Sequence, residues 1–374
     1  MKTAAPGTVP LACLSALLAA GAMPAAELRF ERHVVDPDGP LDVWLKAVGD
    51  IDGDGSLDLV AGGRTSGGLV WYENPGWTKR AIAKGKFGTD GELADIDGDG
   101  DLDVVALEED PPKTVWFENP GWQRRVIGAE RLHDIEVADL DGDGDLDLVA
   151  RNQGAFRAEG DRLHFYRQDG PGAWSHGTLK IANGEGLCLA DVDGDGDADA
   201  VVERHWYENT GDPLAAEWPA RQYAGEWDYP FTFVAAGDIN GDRRVDIALS
   251  PSERAGGSYR ISWFEAPRNP ESGTWPEHVV DSPVETVHHF VGIGDFNADG
   301  LGDIAAAEMH QGEDPDEVKI YLNPGGDGPW RKVVIATTAS HSMRIADIDG
   351  DGDLDLYGAN WRGRRVEWWE NRLR

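Results

Sequence analysis

Cysteine is nearly absent: the 374 residues contain two, Cys13 and Cys188. Cys13 falls in an N-terminal segment that reads as an export signal, with Lys2, an apolar stretch from Leu11 to Ala20, and small residues at Ala20-Gly21-Ala22 and Ala25-Ala26. Because Cys13 stands at the start of the apolar stretch rather than after it, a lipid anchor is not expected. Removing residues 1–26 leaves a mature chain, 27–374, whose single Cys188 can form no internal disulfide and is expected to be a buried, inert thiol. Long apolar runs are also missing. The N-terminal stretch is too short to span a bilayer, and no later segment is apolar at helical spacing, so neither membrane insertion nor a helical fold is expected. Basic residues are scarce, with 34 Lys and Arg against 69 Asp and Glu and a formal net charge of −35. Nucleic-acid phosphates require clustered Lys and Arg, which excludes that partner class.

The acidity is concentrated. Thirty aspartates lie in seven copies of one nine-residue loop, with Asp or Asn at positions one, three and five and Asp at position nine. The candidate ligands are Asp50, Asp52, Asp54 and Asp58; Asp95, Asp97, Asp99 and Asp103; Asp139, Asp141, Asp143 and Asp147; Asp191, Asp193, Asp195 and Asp199. The last three loops supply Asp238, Asn240, Asp242 and Asp246; Asp295, Asn297, Asp299 and Asp303; Asp347, Asp349, Asp351 and Asp355. Alternating carboxylates around a glycine bend are what a hard cation such as calcium requires, since it takes six to eight oxygens in a flexible cage. An EF-hand would need Glu at position twelve and flanking helices, and neither is present.

The loops recur at intervals of 45, 44, 52, 47, 57 and 52 residues, a period that signals a solenoid, propeller or array. An aromatic motif repeats with them, as in Trp71-Tyr72-Glu73-Asn74 and Trp116-Phe117-Glu118-Asn119, followed by short β-branched runs such as Lys332-Val333-Val334-Ile335. Four short strands per unit, seven times, predict an all-β, seven-bladed propeller of four-stranded blades in one domain. Strand a precedes each acidic loop, strand b follows it, strand c carries the aromatic motif, and strand d is the β-branched run. Glu31-Arg32-His33-Val34-Val35-Asp36 matches a strand d, while Trp368-Trp369-Glu370-Asn371 is a strand c. Pairing these two segments would close the ring.

The loops resemble the FG-GAP or VCBS repeats of integrin α-subunit propellers and many secreted bacterial proteins, over essentially residues 28 to 374. The resemblance implies the propeller and up to seven structural calcium sites; it implies no single activity. Two loops depart from the pattern: Arg243 replaces the second glycine of the fifth, and Ala298 the first glycine of the sixth.

The start of strand a and the end of strand b should share the face opposite the acidic loops. Six residues before each loop stand Trp44, Thr89, His133, Glu185, Thr232, His289 and His341. Just past strand b come Arg64, Glu108-Glu109, Arg151-Asn152-Gln153, Arg204-His205, Ser252-Glu253, Glu308-Met309-His310-Gln311 and Asn360-Trp361-Arg362. Five of the ten histidines fall in this ring, which suits a polar carbohydrate ligand. The leading expectation is a secreted, monomeric carbohydrate lyase working by β-elimination beside a uronate carboxylate. His289, His310, His133 and His341 are the candidates for proton transfer, Arg151 or Arg344 for holding the carboxylate, and Tyr229 as a further base. The arrangement looks like the propeller lyases that cleave ulvan or rhamnosyl-glucuronate linkages with His, Tyr and Arg at the channel mouth. A non-catalytic carbohydrate-binding or adhesion module is the alternative. A glycoside hydrolase, drawing on Glu108, Glu185 and Glu308, comes third. Histidines with Glu308 could also hold a transition metal such as zinc, although no helical His pair or paired-cysteine spacing supports it.

Overall fold

A computed structural model describes residues 28–153, 160–170, 172–313 and 315–373; the segment expected to be an export signal lies outside them. Twenty-eight strands form seven four-stranded antiparallel sheets among the described residues. Blade 1 shows the pattern: strand a is Leu41–Gly49, b is Asp58–Ser66, c is Leu69–Glu73 and d is Thr78–Ala83. Strand b opens Asp58-Leu59-Val60-Ala61 with every residue buried, because both of its faces are covered by neighbouring blades. Strand d lies outermost. The large exposed hydrophobics Val34, Val126, Val279 and Val334 all sit on strands d.

The seven strands a touch one another in cyclic order: Leu41–Gly49, Phe87–Ala94, Asp134–Ala138, Cys188–Ala190, Thr232–Gly237, His288–Gly294, Met343–Ala346 and back to the first. They therefore surround a central axis. Apolar clusters lie between adjacent blades; Leu45 and Val60 of blade 1, for example, pack against Phe87 and Val104 of blade 2. The expected closure is present. Phe30–Asp36 pairs antiparallel with Val366–Asn371, and His33 stacks on Trp368 with ring centroids 4.7 Å apart. His278 stacks on Trp263 in blade 5 in the same way, at 4.3 Å, so the N-terminal strand does the work of a strand d.

Two polar devices brace the ring on the acidic-loop side. The position-nine aspartates are buried and accept two backbone N–H bonds each: Asp103 takes Ile96 N at 3.1 Å and Asn119 N at 2.8 Å. The asparagine ending strand c then latches each blade to the one before it. Asn119 Nδ2 donates to Ile51 O (2.8 Å), Asn209 Nδ2 to Leu140 O (2.9 Å), Asn323 Nδ2 to Ile239 O (2.8 Å) and Asn371 Nδ2 to Phe296 O (2.9 Å). Asn74 reaches Ile348 O across the closure and Gln168 takes the role in blade 3, whereas blade 5 has Ala266 there.

Candidate functional site

The acidic loops keep a common shape, including the two that depart in sequence. Gly100 N donates to Asp95 Oδ2 at 3.0 Å, and Arg243 N donates to Asp238 Oδ2 at 2.8 Å with φ of +66°, the conformation glycine supplies elsewhere. Ala298 likewise sits at φ +55°. Carboxylate oxygens converge within 4.8 Å of one another in Asp50, Asp52 and Asp58, in Asp95, Asp97 and Asp99, and in Asp139, Asp141 and Asp147. Buried Oδ1 atoms of Asp97 and Asp347 have no hydrogen-bond partner. Burial pushes the position-nine carboxyls up, to about 6 in Asp58 and Asp147 and about 7 in Asp103, Asp199, Asp246, Asp303 and Asp355, against their backbone hydrogen bonds. This oxygen-only donor set with unmet negative charge fits a hard divalent cation.

The opposite face carries a cavity of about 590 Å³. All of its lining residues except Arg131 and Leu132 occupy the two ring positions read from the sequence. One wall is aromatic: Trp44 stacks on His341 (5.4 Å, 22°) and meets Trp361 nearly edge-on (5.7 Å, 77°), while its indole N–H donates to Trp361 O at 3.1 Å. The Arg64 guanidinium lies 4.0 Å from the Trp44 ring centre. Arg131 pairs with Glu109 at 2.8 Å, and both line the cavity.

Below this wall four blades contribute one buried group each. His133 precedes strand a of blade 3, Glu185 precedes that of blade 4, Glu253 follows strand b of blade 5, and His289 lies in strand a of blade 6. One ligand atom from each lies within 4.8 Å of all the others. A bulge aims His289: His288 pairs with Glu308 and Phe290 with Ala307, leaving His289 as the extra residue between them. Glu253 is held at φ +70°, a left-handed conformation that costs a non-glycine residue about 1–2 kcal/mol. Its Oε1 lies 2.9 Å from His289 Nε2. His133 Nδ1 is 2.9 Å from Asp134 Oδ1, and Glu185 accepts from Gln153 Nε2 at 2.9 Å and from the Ser252 hydroxyl.

The electrostatics of this group differ from residue to residue. Burial alone would lower His133, but the Asp134 carboxylate, helped by Glu185 and Glu253, carries it up to about 9. Burial and the neighbouring Glu253 drive Glu185 well above the usual carboxylate range. Glu253 is held low despite burial, chiefly by His289. Burial, with His289 and Lys46 nearby, pushes His341 well below the ordinary imidazole value.

The structure redistributes the residues expected from the sequence. His133, His289 and His341 converge, with His289 and His341 stacked at 4.0 Å and His133 edge-on to His289 at 5.7 Å. The expected approach of His310 to His289 is not made: the bulge turns His289 toward the axis, and His310 packs edge-on against Trp361 at 4.4 Å. His205 heads strand c of blade 4 and does not line the cavity. Arg151 is fully buried, donating to Gly186 O and Gly160 O and paired with Glu203, all at 2.9 Å. Arg344 crosses the channel from blade 7 to Asp90 (2.7 Å) and Glu92 (2.9 Å) of blade 2. Both guanidiniums are thus committed within the fold, and Arg64 and Arg131 are the ones that face the cavity. Tyr229 donates to Ser252 O at 2.9 Å and also stands outside the lining. Glu108 is engaged by Arg124 and Glu308 by Lys319, at 2.6 and 2.5 Å.

No helix among the described residues is long and apolar enough to cross a membrane. No curated protein matches the chain. Among solved structures, the rhamnogalacturonan lyase YesW aligns at 16% identity with a TM-score of 0.49, covering 92% of this chain and 74% of that one. The biofilm matrix protein Bap1 of V. cholerae aligns at 14% identity with a TM-score of 0.44, covering 91% of this chain, which spans 62% of Bap1. Likeness at this level does not bear on activity. The FG-GAP-like repeat matches residues 50–106, 95–150, 139–202 and 295–358, more than half of the sequence, and the chain belongs to that family.

Proposed function

We propose that this is an exported, monomeric propeller, stapled by calcium in its acidic loops, whose mouth cavity binds an acidic carbohydrate and cleaves it by β-elimination. The observation that carries the reading is the joint lining of one cavity by Trp44, Trp361, Arg64, Arg131 and His341. Indole faces stack on sugar rings, as aromatic surfaces do on other flat, partly apolar ligands. Arg64 and Arg131 share Glu109 at the cavity but stay exposed, so they can exchange it for a uronate carboxylate, whereas Arg151 and Arg344 are held inside the fold.

In this reading His341, stacked between Trp44 and His289 and lining the cavity, takes the C5 proton. The C5–H electron pair then forms the C4=C5 double bond as the C4–O bond breaks, and the leaving oxygen takes a proton back from the imidazolium. A carboxylate held by arginine stabilises the negative charge that develops as C5 loses its proton. The same cavity without proton transfer would be a carbohydrate-binding module. The variation of its residues from blade to blade favours one asymmetric site over seven repeated ones.

The test is a panel of uronate polysaccharides incubated with the calcium-loaded protein, read by the near-ultraviolet absorbance of unsaturated ends. Product that disappears in His341→Ala and persists in His310→Ala supports the lyase. Binding without product on every polymer leaves the recognition module, and no binding at all removes the carbohydrate reading.

A further inference from the structure

We propose that His133, Glu185, Glu253 and His289 form a binding site for a single divalent transition-metal ion of the zinc type at the floor of the mouth cavity. The site is separate from the acidic loops and does not depend on the lyase reading.

Three observations support it, and a fourth is compatible with it. First, four different blades deliver one nitrogen or oxygen ligand each to a space where all four atoms lie within 4.8 Å of one another. Ligands about 2.0–2.2 Å from one ion lie roughly 3.3 Å apart when tetrahedral, so the widest pairs of this set would draw together by up to about 1.5 Å as the ion binds, a side-chain adjustment. Second, His289 is 1% exposed, and neither of its ring nitrogens has a hydrogen-bond partner. Its Nε2 nonetheless lies 2.9 Å from Glu253 Oε1 without hydrogen-bond geometry, as two ligands of one ion do.

Third, an outer shell is in place. Asp134 holds Nδ1 of His133, leaving Nε2 for the metal, and Ser252 and Gln153 hold the Glu185 carboxylate. Carboxylate–histidine–metal chains and hydrogen-bonded carboxylate ligands are the usual supports of such sites. Fourth, the acidic groups here rely chiefly on the histidines. Asp134, Glu185 and Glu253 are all buried, and the nearby Arg151 is occupied by Glu203 and carbonyl oxygens. A divalent ion would take over that charge compensation from protonated imidazoles and free them as ligands.

The donors choose the metal class. Calcium takes oxygens alone, whereas half of this set is imidazole, which suits zinc, iron, nickel or copper. His133 and Glu253 also line the cavity, so an ion held here would be reachable from it.

The experiment titrates zinc into the purified protein in millimolar calcium, which keeps the acidic loops occupied, with bound zinc read by calorimetry and elemental analysis. One equivalent per chain is expected. It should be lost in His133→Ala and in His289→Ala and kept in Asp97→Ala. Asp134→Asn, which changes a positioning residue, should weaken it by roughly 10–100-fold. Cobalt substituted into the wild-type protein provides a second readout that needs no variant, because low-symmetry nitrogen and oxygen ligation gives intense visible bands and oxygen cages give faint ones. Zinc uptake unaffected by both histidine substitutions, no uptake, or only the faint cobalt spectrum would each overturn the proposal. Loss of lyase activity alone would not, since none of these measurements uses a sugar.

Discussion

Position nine of each acidic loop has two roles that a single perturbation can separate. In the second loop, Asp103 is buried and both of its oxygens accept backbone N–H bonds, from Ile96 at 3.1 Å and Asn119 at 2.8 Å. Asp99, at position five, is exposed and accepts only the local Asp101 N–H at 3.1 Å. Removing the carboxyl leaves two buried N–H groups unsatisfied at about 1–3 kcal/mol each, partly offset by relief of its own burial, so Asp103→Ala should cost roughly 1–4 kcal/mol even with no metal bound. Asp99→Ala, an exposed substitution, should cost no more than about 0.5 kcal/mol under the same conditions. Urea unfolding followed by tryptophan fluorescence, in excess EDTA and again in calcium, measures both. In calcium each variant also forfeits a ligand, so Asp99→Ala should become destabilising only there. If the two variants unfold at the same urea concentration in EDTA, position nine is not the structural staple described here. If Asp99→Ala is equally destabilising with and without calcium, the loop does not bind the ion.

Further outcomes follow from other contacts. EDTA should lower the melting temperature of the wild-type protein, because each calcium site filled at ten times its dissociation constant contributes about 1.4 kcal/mol; an unchanged melting curve would remove structural calcium. Asn119→Ala strips the donor from two carbonyls, Ile51 O and Leu102 O, and should cost about 2–4 kcal/mol by chemical denaturation. Burial would raise Glu308, but His288 and Lys319 hold it down at about 2, so its folded pKa lies below its unfolded one. Its contribution, on the order of 3 kcal/mol, is therefore present above about pH 4.5 and lost as pH falls toward 2. Glu308→Gln should be less stable than wild type at neutral pH, with the gap narrowing below that value; a pH-independent gap would contradict the pairing. Trp44→Ala should abolish carbohydrate binding with little change in calcium-dependent stability, measured by affinity electrophoresis beside a melting curve.

Much of this protein could be read from local pattern. The nine-residue loop, the aromatic motif and the β-branched run recur once per blade in a fixed order, so their recurrence was enough to count blades and assign strands. The matching of Glu31–Asp36 to a strand d likewise anticipated its pairing with Val366–Asn371. Even the mouth residues were legible as positions, since strand geometry alone puts the start of a and the end of b on one face.

Partnership was not legible. Arg151 and Arg344 looked available because nothing nearby in sequence pairs with them, yet Glu203 is 52 residues from the first and Asp90 is 254 from the second. His289 owes its direction to a bulge that a strand pattern does not reveal, and Glu253 its position to a backbone conformation that costs energy in isolation. The chain by itself determined a ring of repeats, because each repeat is specified by contacts between near neighbours. Only the tertiary structure decided which side chains meet at the axis, because there residues from four blades compete for the same buried space and charge.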